Sequence, residues 1–193
     1  MAKITLEGLS FDLAPETLEA MLTIVEKTVS SGKEHGFAFC EIEGVIHPGP
    51  VCEGSQQCVA IKPCKEGHRT GDVHTHPNVM SFSLSDYILA MTKAYGHPQH
   101  KSLLCVSLLD KEFRCKALKK LPGPGKFDQF PTAPDTEANR EKVKPYRTGK
   151  TAIPLGYIAK LLAGMPWEEL PPAVPTMAED EGGTPADFPE IPG

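Results

Sequence analysis

The stretch GDVHTHP at residues 71–77 predicts a β-strand that ends at its proline, which has no N–H to donate to a central ladder. Successive side chains of a strand point to opposite faces, so His74 and His76 share one face. Two adjacent imidazoles can bind one metal ion. Asp86, ten residues after His76, can complete a set of two imidazoles and one carboxylate that leaves one position open to water. The pattern predicts a catalytic metal site.

The segments around this strand alternate between helical and extended patterns. Apolar residues at helical spacing, closed by Gly32, predict an amphipathic helix at 15–29, and a Ser-x-x-Asp pattern predicts a second helix at 83–96. The apolar run at 102–109 predicts a central strand that pairs in a hairpin with 112–118. Further extended segments are expected at 36–42, 44–53 and 58–62. The alternation predicts an α/β fold.

The composition is that of an ordinary soluble protein, with 40% hydrophobic and 23% charged residues among 193. No apolar run is long enough to span a membrane and no signal-peptide pattern is present, so we expect a cytoplasmic protein without a membrane partner. The net charge of −5 arises from an acidic stretch near the C-terminus. Basic residues form no cluster, so no nucleic-acid partner is expected.

The six cysteines are too few for a disulfide scaffold, and no two have the C-x-x-C spacing of a zinc knuckle. Most lie in or beside apolar stretches, where we expect small buried thiols. Cys105 and Cys115 can face each other across the hairpin only if its connection has an odd number of residues. In a reducing compartment, we expect both to stay thiols.

The composition of the chain changes after residue 121. Thirteen of the nineteen prolines follow it, which predicts an extension to a catalytic domain spanning 1–121. Within the proline-rich extension at 122–170, residues 154–163 predict one short helix, with proline at its start and Gly164 at its end. The acidic tail at 171–193 is expected to be disordered.

The remaining histidines and one lysine motif carry weaker signals. Gly149-Lys150-Thr151 resembles the end of a phosphate-binding loop, but Lys144 stands where the loop needs its first glycine, so we interpret the match as accidental. His35 is expected to point to the strand face opposite that of Glu34. The other histidines resemble loop or surface residues without a partner: His47, His68, His97 and His100.

Together, Glu34, the His-Thr-His-Pro motif at 74–77 and the Ser-x-x-Asp motif at 83–86 resemble the signature of the JAMM or MPN-plus zinc metalloproteases. In size the chain is closest to their archaeal and bacterial members, and the resemblance covers roughly residues 4–121. The loop before Ser83 is one residue shorter than is usual in the family. The resemblance implies a JAMM/MPN-like (cytidine-deaminase-like) mixed β-sheet flanked by helices.

The same resemblance implies a set of roles for the residues of the site. It implies a Zn2+ ion bound by three residues: His74, His76 and Asp86. Glu34 would be the general base that takes a proton from the attacking water, and Ser83 would donate a hydrogen bond to the oxyanion. Glu43 and Glu41 are the alternative bases.

The resemblance implies a zinc metallopeptidase, deubiquitinase-like, that would hydrolyse an isopeptide or peptide bond at the C-terminus of a ubiquitin-like or sulfur-carrier protein. A second hypothesis is a non-catalytic MPN-like scaffold that binds a protein partner through its C-terminal extension. A third keeps the metal but changes the substrate to a small-molecule amide or a thiocarboxylated carrier tail. The sequence leaves open whether the protein is a monomer or a homodimer.

Overall fold

The computed structural model describes residues 1–6, 8–56, 59–77, 82, 86, 97–99, 101–108, 111–118, 136–143 and 147–171. In these residues, the strands are β1 (Ala2–Leu6), β2 (Leu9–Leu13), β3 (His35–Ile42), β4 (Val45–Pro48), β5 (Cys52–Glu53), β6 (His68–His76), β7 (Ser102–Leu108), β8 (Glu112–Leu118) and β9 (Arg147–Pro154). The helices of the same ranges are α1 (Pro15–Ser31), α2 (Glu137–Val143) and α3 (Leu155–Leu162), followed by a 3₁₀ turn at Trp167–Glu169.

The strands of these ranges form one mixed sheet. Its order is β1-β2-β4-β3-β6-β7-β8-β9, and β5 pairs with β3. The pairs β2/β4 and β6/β7 are parallel, whereas the others are antiparallel. The two outermost strands, β1 and β9, approach each other, so the sheet is nearly closed. The predicted mixed α/β class is confirmed, and β6, which carries the two histidines, lies inside the sheet between β3 and β7.

Helix α1 forms one side of the core. It begins with Pro15, whose missing N–H costs nothing in the first turn, and it ends before Gly32, which has the left-handed φ of 71°. Its apolar stripe is buried against the sheet: Leu18, Met21, Ile24 and Val25. The predicted helix at 15–29 is confirmed and extends two residues further. Within the described ranges, no helix is long and apolar enough to cross a membrane.

Strand β7 is buried on both faces. Leu103 and Cys105 belong to the core beneath α1, and their neighbours Leu104 and Val106, which point the opposite way, are also fully buried. The apolar run therefore predicted a central strand correctly. Phe82, which precedes the second predicted helix, is completely buried as well. The rest of that helix, apart from Asp86, lies outside the described residues.

The sheet and the core continue beyond the domain boundary that composition placed at residue 121. Strand β9 pairs with β8 along its length, and the core includes Ile153, Ile158 and Leu170. The proline-rich composition of this region did not predict a strand. Pro154 stands at the last position of β9, where its missing N–H does not break the ladder. Helix α3 confirms the short helix predicted at 154–163. The tail after 171 lies outside the described residues.

Two short segments in the N-terminal half differ from the predictions made from sequence. Strands β1 and β2 form an antiparallel hairpin that no pattern predicted. Conversely, the strand predicted at 58–62 is wrong over 59–62, which has no regular structure. The chain contacts the sheet here through side chains instead, since the nearby Cys64 is bonded to Cys40 on β3.

Four cysteines are paired, whereas the sequence predicted free thiols. Cys105 and Cys115 form a second disulfide across the β7/β8 hairpin, where they oppose each other directly. The pairing of Leu108 with Glu112 leaves three residues in the connection, the odd number that this register requires. Among the described cysteines, Cys52 is the free one, and it is buried.

Candidate metal centre

Strand β6 places His74 and His76 side by side on the sheet face opposite α1. Their Nε2 atoms lie 2.9 Å apart and their ring centroids 4.8 Å apart. Both side chains are about nine-tenths buried, with 9% and 10% of their surface exposed. The two nitrogens thus converge on one small volume, as the spacing of two residues predicted.

Asp86 completes the cluster from a helical position after the strand. Its Oδ1 lies 3.2 Å from the Nε2 of His74, and its Oδ2 lies 3.8 Å from the Nε2 of His76. One ligand atom from each of the three residues falls within 4.8 Å of the others. Two imidazole nitrogens and one carboxylate oxygen form a donor set that zinc accepts, with a further coordination position to fill. The residues therefore fit a metal ion such as zinc.

The charged groups around His74 favour positive charge on its ring. Burial alone would lower the pKa of this imidazole, but the charge of Asp86 and hydrogen bonds to Asp72 and Asp86 outweigh it. The pKa of His74 is therefore raised well above its usual value. Without a metal, a proton takes the place that the metal would occupy, so metal and proton compete for this ring.

Glu34 lies beside the ligands, at the residue before β3. Its backbone is held on both sides, since its N–H donates to the carbonyl of Ser55 at 2.7 Å and its carbonyl accepts from Gly54 at 2.8 Å. Burial raises the pKa of Glu34 to about 7; His74 opposes the shift and Asp86 adds to it. A carboxyl with a pKa near neutrality can both take up and release a proton. Glu34 thus belongs to the electrostatic environment of the ligands.

The alternative bases lie at the other end of β3. In the β3/β6 register, Gly36 opposes His74 while Glu41 opposes His68, about 17 Å along the strand at ~3.3 Å per residue. Glu41 is engaged there with His97 at 3.2 Å. Glu43 is exposed in the following turn, with a φ of 50°. Of the three candidate bases, only Glu34 is near the histidines.

Gly36 provides the space in which His74 sits. A Cβ at this position would lie 2.8 Å from the Cβ of His74 and 2.7 Å from the Cδ1 of Ile61, closer than real side chains approach. Because Gly36 has no side chain, β3 and Ile61 can pack closely against the Cβ of His74. The sequence did not predict this role, because a glycine at the start of a strand does not by itself indicate a close contact.

Thr75, between the two ligands, points to the other face and binds α1. Its Oγ1 lies 2.6 Å from the Oγ1 of Thr28 and accepts the backbone N–H of His35 at 2.9 Å. The Nδ1 of His35 also lies 3.0 Å from the Oγ1 of Thr28. His35 thus points away from Glu34, as predicted, and this buried network holds the ligand strand against the helix.

Some predicted residues lie elsewhere or outside the described ranges. Ser83 is not among the described residues, so its role stays a prediction. Two of the four histidines expected to lack a partner have one. His97 is buried and its Nε2 lies 3.2 Å from a carboxylate oxygen of Glu41, and the Nδ1 of His47 lies 2.9 Å from a carboxylate oxygen of Glu16. The phosphate-loop-like Gly149-Lys150-Thr151 forms part of β9, which confirms that the match was accidental.

Comparison with known proteins adds no further information about the site. No model of a known protein family matches the chain, and no curated protein is similar to it in sequence.

Proposed function

We propose that the protein is a zinc-dependent peptidase that hydrolyses an isopeptide or peptide bond at the C-terminus of a ubiquitin-like or sulfur-carrier protein. The observation that carries the proposal is the convergence of two imidazole nitrogens and the Asp86 carboxylate beside a buried glutamate. A strand-borne histidine pair followed by a carboxylate also supports a JAMM/MPN-like fold.

The chain divides the chemistry among four residues. His74, His76 and Asp86 would hold the metal, which when bound supplies the Lewis acidity that makes water a competent nucleophile near neutral pH. Glu34 takes a proton from the attacking water and delivers it to the leaving nitrogen as the C–N bond breaks. Its pKa of about 7 suits both transfers. Burial of the cluster keeps its charges from being screened by solvent.

The identity of the substrate rests on the motif. A carrier tail is an extended peptide, and such a peptide binds by adding a strand to an exposed sheet edge or groove. The small-molecule amide and the thiocarboxylated tail remain alternatives with the same metal chemistry, so a screen of substrates separates them.

Zinc content is the first test of the proposal. We expect about one zinc per chain in the wild type and much less in Asp86→Ala, measured by elemental analysis after purification without chelators. Asp12→Ala is the matched control, because this carboxylate lies on β2 beside Lys3, far from the cluster. Zinc in neither the wild type nor the control would contradict the proposal and favour the scaffold hypothesis.

Cleavage is the second part of the test. The zinc-loaded wild type should release a reporter joined by an amide to the C-terminus of a ubiquitin-like or sulfur-carrier protein, and chelation should stop the release. Zinc binding without cleavage of any such carrier would contradict the proposed substrate class.

A further inference from the structure

Asp72 and Arg69 form a buried ion pair behind His74. The Oδ1 of Asp72 lies 3.3 Å from the Nδ1 of His74, and its Oδ2 lies 3.1 Å from an amino nitrogen of Arg69. Only 5% of the Asp72 side chain and 16% of the Arg69 side chain are exposed. Neither residue belongs to the ligand cluster, and the chemistry described above does not use them.

The contact decides which nitrogen of His74 is available to a metal. An ionised carboxylate can only accept hydrogen bonds, so the Nδ1 of His74 must carry a hydrogen and donate it to Asp72. In a neutral ring, the lone pair then lies on Nε2. Nε2 is the atom that faces His76 and Asp86. Asp72 therefore selects the tautomer that the metal needs.

A bulge in β6 brings Arg69 to the same face. Residues three apart on a regular strand point to opposite faces, so Arg69 and Asp72 would not meet. The register shifts at this point, because Gly71 pairs with Phe39 and Arg69 pairs with Cys40, the next residue on β3. Thr70 is thus the extra residue of a bulge, which re-aims the side chain of Arg69.

Glycine is required next to this bulge. Gly71 has a φ of 138°, which side chains rarely adopt, and a Cβ there would overlap the carbonyl oxygen of Leu103. The close approach of β7 and the bulge therefore depend on Gly71. The contact between Arg69 and Asp72 therefore depends on the bulge in β6 and on the glycine beside it.

We propose that Asp72, held in place by Arg69, is a positioning residue that orients His74 and thereby strengthens zinc binding. This inference rests on the proposed metal site and adds a residue to it. Arg69 binds the second oxygen of Asp72, so the carboxylate keeps its first oxygen directed at His74. Hydrogen-bond partners of this kind raise metal affinity about 10- to 100-fold.

Asp72→Asn tests the proposal without changing the shape of the side chain. His74 and Arg69 face different oxygens of Asp72, and in asparagine one of these oxygens is replaced by an NH2 group, which donates and cannot accept. We expect the zinc dissociation constant, measured by competition with a chromophoric chelator, to rise about 10- to 100-fold. Asp12→Asn is the control and should leave it unchanged.

The double variant Arg69→Gln, Asp72→Asn separates positioning from a structural role. It removes both charges and frees the amide oxygen of residue 72 to accept from His74. We expect it to recover part of the zinc affinity lost in Asp72→Asn. It also keeps the test valid if the single variant fails to fold, because no arginine is then left without its partner. An affinity still at least threefold below the wild type would support the proposal in that case.

Three outcomes would overturn the inference. A loss of zinc affinity smaller than tenfold in folded Asp72→Asn would contradict it, and, if that variant does not fold, so would a wild-type affinity in the double variant. A double variant that binds zinc no better than folded Asp72→Asn would show that the pair acts only on the structure. If the wild type binds zinc but cleaves no carrier, the proposed function is wrong. The ratio of the zinc dissociation constants of Asp72→Asn and the wild type still tests the role of Asp72.

Discussion

Two clusters of histidine and carboxylate lie at opposite ends of the β3/β6 pair, and they differ in where the ring nitrogens point. In the first, two Nε2 atoms converge and Asp86 faces both. In the second, His97 accepts the N–H of Gln99 at Nδ1, 3.0 Å away, and so presents an N–H to Glu41 from Nε2. The second cluster satisfies its own hydrogen bonds, whereas the ligand atoms of the first converge on one small volume.

The pKa values of His97 and His74 shift in opposite directions. Burial lowers the pKa of His97, and the nearby Glu41 offsets this only in part. The pKa of His74 is instead raised, because Asp86 and Asp72 together outweigh burial. Proximity of histidine to a carboxylate is therefore not enough to identify a metal site. The direction of the lone pairs and the number of carboxylates decide it.

The largest expected difference between the clusters concerns their glutamates. Glu34→Gln should retain zinc and lose about 10²- to 10⁴-fold in the rate of hydrolysis, because the amide cannot accept the proton of water. Glu41→Gln should retain both zinc and activity, since its partners lie at the far end of the strands. Zinc content and turnover of a carrier fusion are measured on both variants. Equal rates of hydrolysis by Glu34→Gln and Glu41→Gln would contradict the role of Glu34 as the base.

A smaller effect is expected from Gly36, on which only the first cluster depends. A methyl group at this position meets His74 and Ile61, so Gly36→Ala should lower the free energy of unfolding by about 1–3 kcal/mol and weaken zinc binding. The control is Gly156→Ala on α3, where a Cβ meets only open space and a helical alanine is favoured. Chemical denaturation of both variants measures the difference. A stable Gly36→Ala protein with normal zinc affinity would contradict the close packing.

The last expected effect is on the pH dependence of the stability of the metal-free protein. The pKa of Glu34 is about 7 in the folded state, mainly because of burial, and about 4.3 in the unfolded chain. The folded state thus binds the proton more tightly. Its contribution to stability is complete below about pH 4 and is lost as pH rises through about 7.

Metal-free Glu34→Gln should therefore lose less stability than the wild type between about pH 5 and pH 8, by on the order of 1–3 kcal/mol. Urea unfolding at a series of pH values measures this difference. Saturating zinc should reduce it, because a nearby cation favours the carboxylate. Parallel stability curves for the two metal-free proteins would show that Glu34 is not buried as described.

The sequence predicted the parts of the site that depend on local spacing. Two residues along a strand brought His74 and His76 together, and the motif indicated Asp86 and Glu34. It did not predict the contact of Asp72 with Arg69, because a bulge changes which side chains share a face. The pairing of His97 with Glu41 was missed for another reason, since 56 residues separate them along the chain.

The fold was predictable where hydrophobic periodicity was strong. Helix α1 and the doubly buried strand β7 show clear patterns, so both were found. Strand β9 was missed because proline-rich composition suggested an extension, although Ile153 belongs to the core. Pairing of distant strands is set by packing across the whole sheet, which no local pattern encodes.

The hydroxyl of Thr75, the middle residue of His-Thr-His, has a structural role. It accepts the N–H of His35 and touches Thr28, so it ties the ligand strand to α1 from behind. Valine would match its shape but leave that N–H unpaired in a buried position. A motif written His-x-His treats this residue as a spacer and admits chains that cannot hold the strand in this way. A search pattern with serine or threonine in the middle would select for the support as well as for the ligands.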